Sequence, residues 1–315
     1  MAQDAEAVTA PGIPPPAEAF VVRSFWRTLD PWRRRPLGVL GGLVITAVIV
    51  IAALAPLIAP NDSQKFVGRP LEHPSSRFLL GTNNLGQDVF SRTIYGAQIS
   101  VVVGFSASVF AVGLGSMLGL ISGYIGGWVD LIIQRALEVL ASFPSLILAL
   151  IFISAVGAPR VSSHNIFVMV WQLRSLEFAI ALGLIFGNMR ILRSAVIRER
   201  GMAYLEAAES IGCSRFRLMW RHILPNVMPY VIVAFTTIIG FVILIEASLS
   251  FLGVGAPIGS ASWGVDLSSR NREFFLQAPW LIIGPAVGLS LTVLSCNFLG
   301  DALRDILDPR LRGSR

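Results

Sequence analysis

Ionisable side chains set into apolar runs are the residues of this sequence that could do chemistry. Glu246 in "VILIEASLSF" stands alone in a long apolar stretch, and Arg135 with Glu138 forms an i, i+3 pair near the start of another. Charged groups at membrane depth are costly and point by default to a proton relay, an ion pathway or a ligand counter-ion. A relay needs a second titratable partner. His73, His164 and His222 all fall in polar connecting stretches, and no second carboxylate stands near Glu246 in sequence. The expectation is therefore structural: Glu246 near the outer end of its span, bonded to helix ends or to the loop carrying Trp263, and Arg135 and Glu138 satisfying each other. Asp88 and Arg92, four apart, read as a salt-bridged pair outside the membrane. Cys213 and Cys296 have no His or Cys at ligand spacing, which argues against a disulfide framework or a metal site. The chain also lacks H-E-x-x-H, G-x-S-x-G and G-x-x-x-x-G-K-[ST]. It is expected to catalyse nothing and to bind no cofactor itself.

The elements that hold these residues are membrane spans. The chain is 54% hydrophobic and 14% charged, with a mean hydropathy of +0.69, whereas about a quarter of a soluble domain is charged. Its net charge is +6, but the arginines gather at the ends of apolar runs, which is a topology signal and not a nucleic-acid footprint. The fold class expected is all-α, a polytopic membrane protein with about six spans. These lie near 37–59, 97–124, 130–156, 176–197, 227–252 and 280–302. Residues 1–36 read as a disordered, basic, cytoplasmic segment, and 60–95 as a small extracytoplasmic region. Residues 96–302 read as a core of five spans, and 303–315 as a cytoplasmic tail. Arg33, Arg34 and Arg35 place the N-terminus in the cytoplasm, and counting crossings agrees with counting arginines at the far end. Gly115, Gly119, Gly123 and Gly127 recur every four residues, the small-xxx-small pattern of close helix packing.

Between the fourth and fifth spans lies "YLEAAESIGCSRFRLMWRHILPN", Tyr204 to Asn226, polar and broken once by Gly212. Leu205, Ala208 and Ile211 recur every three positions, and Phe216, Met219, Trp220 and Ile223 fall at i, i+3, i+4 and i+7. The pattern predicts two short amphipathic helices joined at Gly212, with Ser214 capping the second. Periodicity leaves two readings open: an interfacial helix pair, or a docking element for a soluble partner.

"EAAESIGCSRFRLMWRHILP" resembles the cytoplasmic EAA loop of ABC-importer permeases, with Glu206, Ala207, Ala208, Gly212, Leu224 and Pro225 in register and His222 in place of the usual Ile. "LGTNNLGQDVFSRTIYGAQIS", "GYIGGWVD", "SFPSLILAL", "EASLSFLGVG", "SWG" and "NFLGDALRDILDPRLR" follow the order of the dipeptide and oligopeptide branch, its second-permease type. The departures concentrate in 158–189, where "GNMR" replaces Trp-x-x-Tyr-Ala-Arg.

The resemblance implies a type I importer permease fold in the bacterial inner membrane, with both termini cytoplasmic. It implies that 204–225 forms a coupling helix seated on an ATPase subunit, with Glu206 and Glu209 for basic groups and Phe216 and Trp220 as anchors. The partners implied are a homologous second permease, two ATP-binding subunits and an extracytoplasmic solute-binding protein. Asp88 and Arg92 are candidate contacts for that binding protein. ATP and Mg would be held by the partner subunits, and the cargo would be a dipeptide, an oligopeptide or a related small solute. The alternative class is an ion-coupled secondary transporter acting without an ATPase, which would show inverted repeats with paired broken helices; no such repeat is evident between the halves.

Overall fold

A computed structural model describes residues 35–307 apart from 160–164, 258, 269–270 and 272. The expectations for the N-terminal segment through residue 34, for His164 and for the tail beyond 307 lie outside the described residues.

Helix α1, Pro36–Ala53, begins with a proline at its first position, where the missing N–H costs nothing. A short turn of helix, α2 (Ala55–Ile58), follows it. Residues 59–88 then fold into an ordered cap over the ends of the later spans. Phe78 is buried there, Thr82 N–H donates to the Glu72 carbonyl at 3.0 Å, and the Trp280 ring lies tilted against His73 with centroids 4.6 Å apart. Helix α3, Val89–Ile125, starts eight residues before the expected span, because Asp88 caps it: its carboxylate accepts from Phe90 N–H at 3.2 Å and Ser91 N–H at 3.3 Å. Ser91, Arg92 and Thr93 lower the local hydropathy and hide that first turn from a span search.

The third expected span is two helices, α4 (Gly127–Ala141) and α5 (Ser145–Val156), bent by 86° at Ser142, Phe143 and Pro144. A residue before proline is pushed out of the helical region, which breaks the hydrogen-bond ladder there. Helix α6, Ile166–Arg200, is ten residues longer at its start than the sequence suggests, and Asn165 caps it by accepting from Phe167 N–H at 3.0 Å. Then come α7 (Ala203–Ser210), α8 (Arg215–Arg217), a π-helical turn (Leu218–Ile223) and α9 (Leu224–Phe251). The second short helix expected after Gly212 is therefore not separate. It runs straight into the fifth span, and Pro225 sits inside the continuous helix instead of before it. Helices α10 (Trp263–Asp266) and α11 (Trp280–Leu307) complete the described chain. Among the described residues five helices are long and apolar enough to cross a membrane, or six if the bent α4–α5 pair is one span.

Helix α3 is the central post. A Cβ on Gly119 would lie 2.7 Å from the Met189 carbonyl, and one on Gly115 or Gly123 would crowd α6 at 2.8 or 2.9 Å, so the glycine series lets two backbones meet. Gly127 takes no part; it opens α4 with nothing close to it. On its other sides α3 meets α9, where Gly104 faces Ile243, and the core fills with Ile99, Val103, Leu173, Leu176, Ile180 and Val242. Helix α11 joins α9 at Gly240 and Cys296, and α1 at Gly41 and Ser295. Arg35 pairs with Asp305 where α1 begins and α11 ends.

Candidate coupling segment and intramembrane charges

One face of the 204–223 segment is nailed to the span ends. Leu205, Leu218 and Ile223 are buried with Leu120 of α3 and Leu192 and Val196 of α6, and Ala208, Cys213, Met219 and Leu224 pack against that cluster. The expected Phe216, Met219, Trp220, Ile223 stripe is split. The wider π turn shifts the helix register, and Leu218 and Ile223 at its two ends are buried while Phe216 and Trp220 face out. Ile211 also faces out, at 87% exposure, against the expected inward repeat with Leu205 and Ala208.

The outward face carries Glu206, Ala207 and Glu209 on α7 and the tilted Phe216 and Trp220 rings, 6.0 Å apart, on α8 and the π turn. Ser214 caps α8 as expected, accepting from Arg217 N–H at 3.4 Å. Gly212 has φ +85° with open space around it, so the joint needs the left-handed backbone and not the small volume. His222 is half-buried in the π turn, and Pro225 is exposed. The Tyr204 hydroxyl braces α7 to the spans, donating to Glu199 at 2.6 Å and accepting from Asn226 at 2.7 Å. Burial, and then the Glu199 carboxylate beside it, hold that phenol above its ordinary pKa.

Within the spans, Glu246 is fully buried and accepts from three hydroxyls: Ser250 at 2.7 Å, Ser262 at 3.0 Å and Ser100 at 3.3 Å. Ser262 precedes Trp263, in the loop expected to hold a partner. Arg135 and Glu138 do pair, at 2.9 Å, and remain 74% and 43% exposed.

Asp88 and Arg92 do not pair with each other. Arg92 is buried and grips Asp266 across 174 residues, with Nη2 and Nε donating at 2.6 and 3.0 Å. It also donates to the carbonyls of Ser260 at 2.8 Å and Ser63 at 3.1 Å. Asp88 is spent on the α3 cap, and one turn along the helix Arg92 points away from it. At 2% and 4% exposure the two side chains lie beneath the surface offered to any partner.

Two carboxylates missed in the sequence complete the set. Asp130 of α4 takes Arg193 of α6 at 2.5 and 2.7 Å and also bonds Ser122 and Gln134, clamping three helices. Glu177 of α6 is fully buried, and neither carboxylate oxygen has a hydrogen-bond partner among the described residues. Its neighbour Ser106 donates instead to the Val102 carbonyl at 2.5 Å. A cleft of about 630 Å³ opens between α6, α9 and α11, with Gly187, Ile191 and Thr237 on its walls and Arg198, Asp301 and Arg304 at its mouth.

Residues 115–313, from the glycine series of α3 through the segment to α11, match the family of binding-protein-dependent transport system inner membrane components. The chain belongs to that permease family. Residues 23–74 of the permease also match the N-terminal transmembrane domain of oligopeptide transport permease C. The permease is 36% identical to the dipeptide transport system permease protein DppC of Alkalihalophilus pseudofirmus, over 96% of this chain and 95% of that one. It is 35% identical to the glutathione transport system permease protein GsiD of Pectobacterium atrosepticum, over 92% and 91%. The permease is thus a multi-pass cell-membrane protein of the ABC peptide-importer class.

Proposed function

We propose that this permease forms half of an ATP-driven import pathway and that 204–223 is its coupling element, docking on a cytoplasmic ATPase chain. The observation that carries the reading is the division of labour within that segment. Leu205, Leu218 and Ile223 bind it rigidly to α3, α6 and α9, while Glu206, Glu209, Phe216 and Trp220 face out together. Exposed aromatics ringed by charge are the composition of an interface anchor. A push on that face has nowhere to go but into the spans.

In this reading both termini are cytoplasmic and the 59–88 cap faces outward. A homologous second permease completes the path, two ATPase chains supply energy with their own ATP and Mg, and a binding protein delivers the solute. The named relatives handle a dipeptide and glutathione, and the cargo here is a short peptide of the same chemical kind. The test is purification of the chain from its native membrane in mild detergent. One related membrane chain and one or two ATPase chains should co-purify, and Glu206→Arg should lose the ATPase chains while keeping the membrane partner. A chain that purifies alone and drives ion-coupled uptake in liposomes overturns the reading.

A further inference from the structure

Three of the chain's four tyrosines gather at the last turn of α6, each against one of its charged residues. Arg198 donates to the Tyr230 hydroxyl of α9 at 3.0 Å and lies 5.3 Å from the centre of that ring. Glu199 accepts from the Tyr204 hydroxyl of α7 at 2.6 Å, and Asn226 of α9 donates to the same hydroxyl at 2.7 Å. Arg200 lies 5.8 Å from the centre of the Tyr124 ring at the end of α3. Successive residues on a helix point about 100° apart, so three neighbours in sequence reach three different elements. Arg200 is two turns beyond Arg193, whose backbone packs Gly119 and Gly123 of α3.

These contacts add little to stability. Tyr204 and Tyr230 are 41% and 37% exposed, and the seat of Leu205, Leu218 and Ile223 already buries the inner face of the segment. What they add is direction. Apolar burial is non-directional, whereas a hydrogen bond weakens steeply once its angle departs from linear. Two helices, α6 through Glu199 and α9 through Asn226, hold one hydroxyl, and that fixes α7 against both at once. Only Gly201 and Met202 separate α6 from α7, and a glycine does not stiffen that link.

We propose that Arg198, Glu199 and Arg200 form a hub that sets the angle of the 204–223 segment to the spans, with Tyr204 as its principal positioning residue. This rests on the coupling reading above. The side chains of the hub reach Tyr124, Tyr204 and Tyr230 and not Glu206, Phe216 or Trp220 of the outward face. The hub therefore governs how a push on the segment is delivered to α3 and α9, and leaves the docking of the ATPase chain to the outward face.

Two readouts on the complete, detergent-purified complex test it. In a background of Cys213→Ala and Cys296→Ala, nitroxides on Ile211→Cys of the segment and Ile191→Cys of α6, both exposed positions, report their separation by pulsed electron paramagnetic resonance, and Tyr204→Phe should broaden the distance distribution. In proteoliposomes with binding protein and a dipeptide, Tyr204→Phe and Glu199→Gln should each lower peptide taken up per ATP hydrolysed about ten-fold, the scale of one hydrogen bond to a charged group. The double variant should fall no further, since both changes act on the same bond. The ATPase chains should co-purify with each variant as with the wild type. An unbroadened distribution in Tyr204→Phe, or a wild-type ratio in both single variants, overturns the hub. So does loss of the ATPase chains from Tyr204→Phe, which makes Tyr204 a docking residue, or a fall of ATP hydrolysis in step with uptake, which makes its role structural. A wild-type complex that takes up no peptide with ATP removes the coupling reading, and the distance measurement still decides whether the hub orients the segment.

Discussion

Carboxylates at membrane depth in this permease are told apart by what they touch. Glu246 has three hydroxyls, Asp130 a guanidinium, Glu138 an exposed arginine, and Glu177 only the Ser106 hydroxyl beside it, which donates to the Val102 carbonyl. Removing one member of a fully buried pair strands the other charge, at about 3–5 kcal/mol. Arg92→Ala should therefore lower the thermal midpoint of the detergent-solubilised protein sharply, whereas Arg135→Ala should leave it nearly unchanged; a fluorescence melt checks both. Glu177 predicts the reverse sign. Replacing a buried group that lacks a partner by an apolar one of similar size gains about 1–3 kcal/mol, so Glu177→Leu should raise the midpoint. A fall would mean that the Ser106 hydroxyl beside it holds Glu177 in place. Sequence reasoning found Glu246 because it is alone among apolar residues. It missed Glu177 because "LRSLEFA" reads as a polar span edge, with Arg174 three residues before it. The Arg92–Asp266 pair was invisible for a different reason: its partners are 174 residues apart, and the local i, i+4 spacing pointed to Asp88 instead.

At the scale of elements, span existence was legible from hydropathy, and the positions of the ends were not. Polar first turns hid the starts of α3 and α6, where caps at Asp88 and Asn165 set the boundary. Three of the four glycines in the expected series, Gly115, Gly119 and Gly123, form a flat strip that admits the α6 backbone, and Gly127 falls beyond the end of the helix. Gly119→Val tests it. Its side chain would have to displace the α6 backbone at Met189, and overpacking costs about 1–3 kcal/mol in a core that can shift; here the obstacle is main chain. The variant should be degraded or fail to extract as a folded protein, as size-exclusion of the detergent extract would report. The π turn was beyond sequence reasoning. An amphipathic pattern assumes 100° per residue, and the single wide turn at Leu218–Ile223 reassigns Phe216 and Trp220 from the core face to the outer one.

The whole molecule is a post, α3, surrounded by helices that touch it through small residues, with a cap at one end and a lever at the other. The two ends are tied by different chemistry. Arg92 and Asp266 join the 59–88 cap to the α10 loop through one buried ion pair, while the lever is held by apolar side chains and the Tyr204 brace. A directional ion pair fixes one geometry at the cap, and at the other end a close-packed apolar seat carries a push on the lever into the spans.

The 86° break between α4 and α5 also bears on how the chain enters the membrane during synthesis. Helix α5 has 12 residues, about 18 Å of helix, too short to cross the roughly 30 Å of hydrocarbon unaided. Helix α4 carries Asp130, Gln134, Arg135 and Glu138 and is a poor candidate for lipid on its own. Both rest on α6, which emerges later from the ribosome. Truncated chains ending at residue 160 and released from the ribosome should thus leave 127–156 extractable by alkali or urea from the membrane, and released chains extended past 205 should retain it. Biogenesis of the third span waits for the fourth.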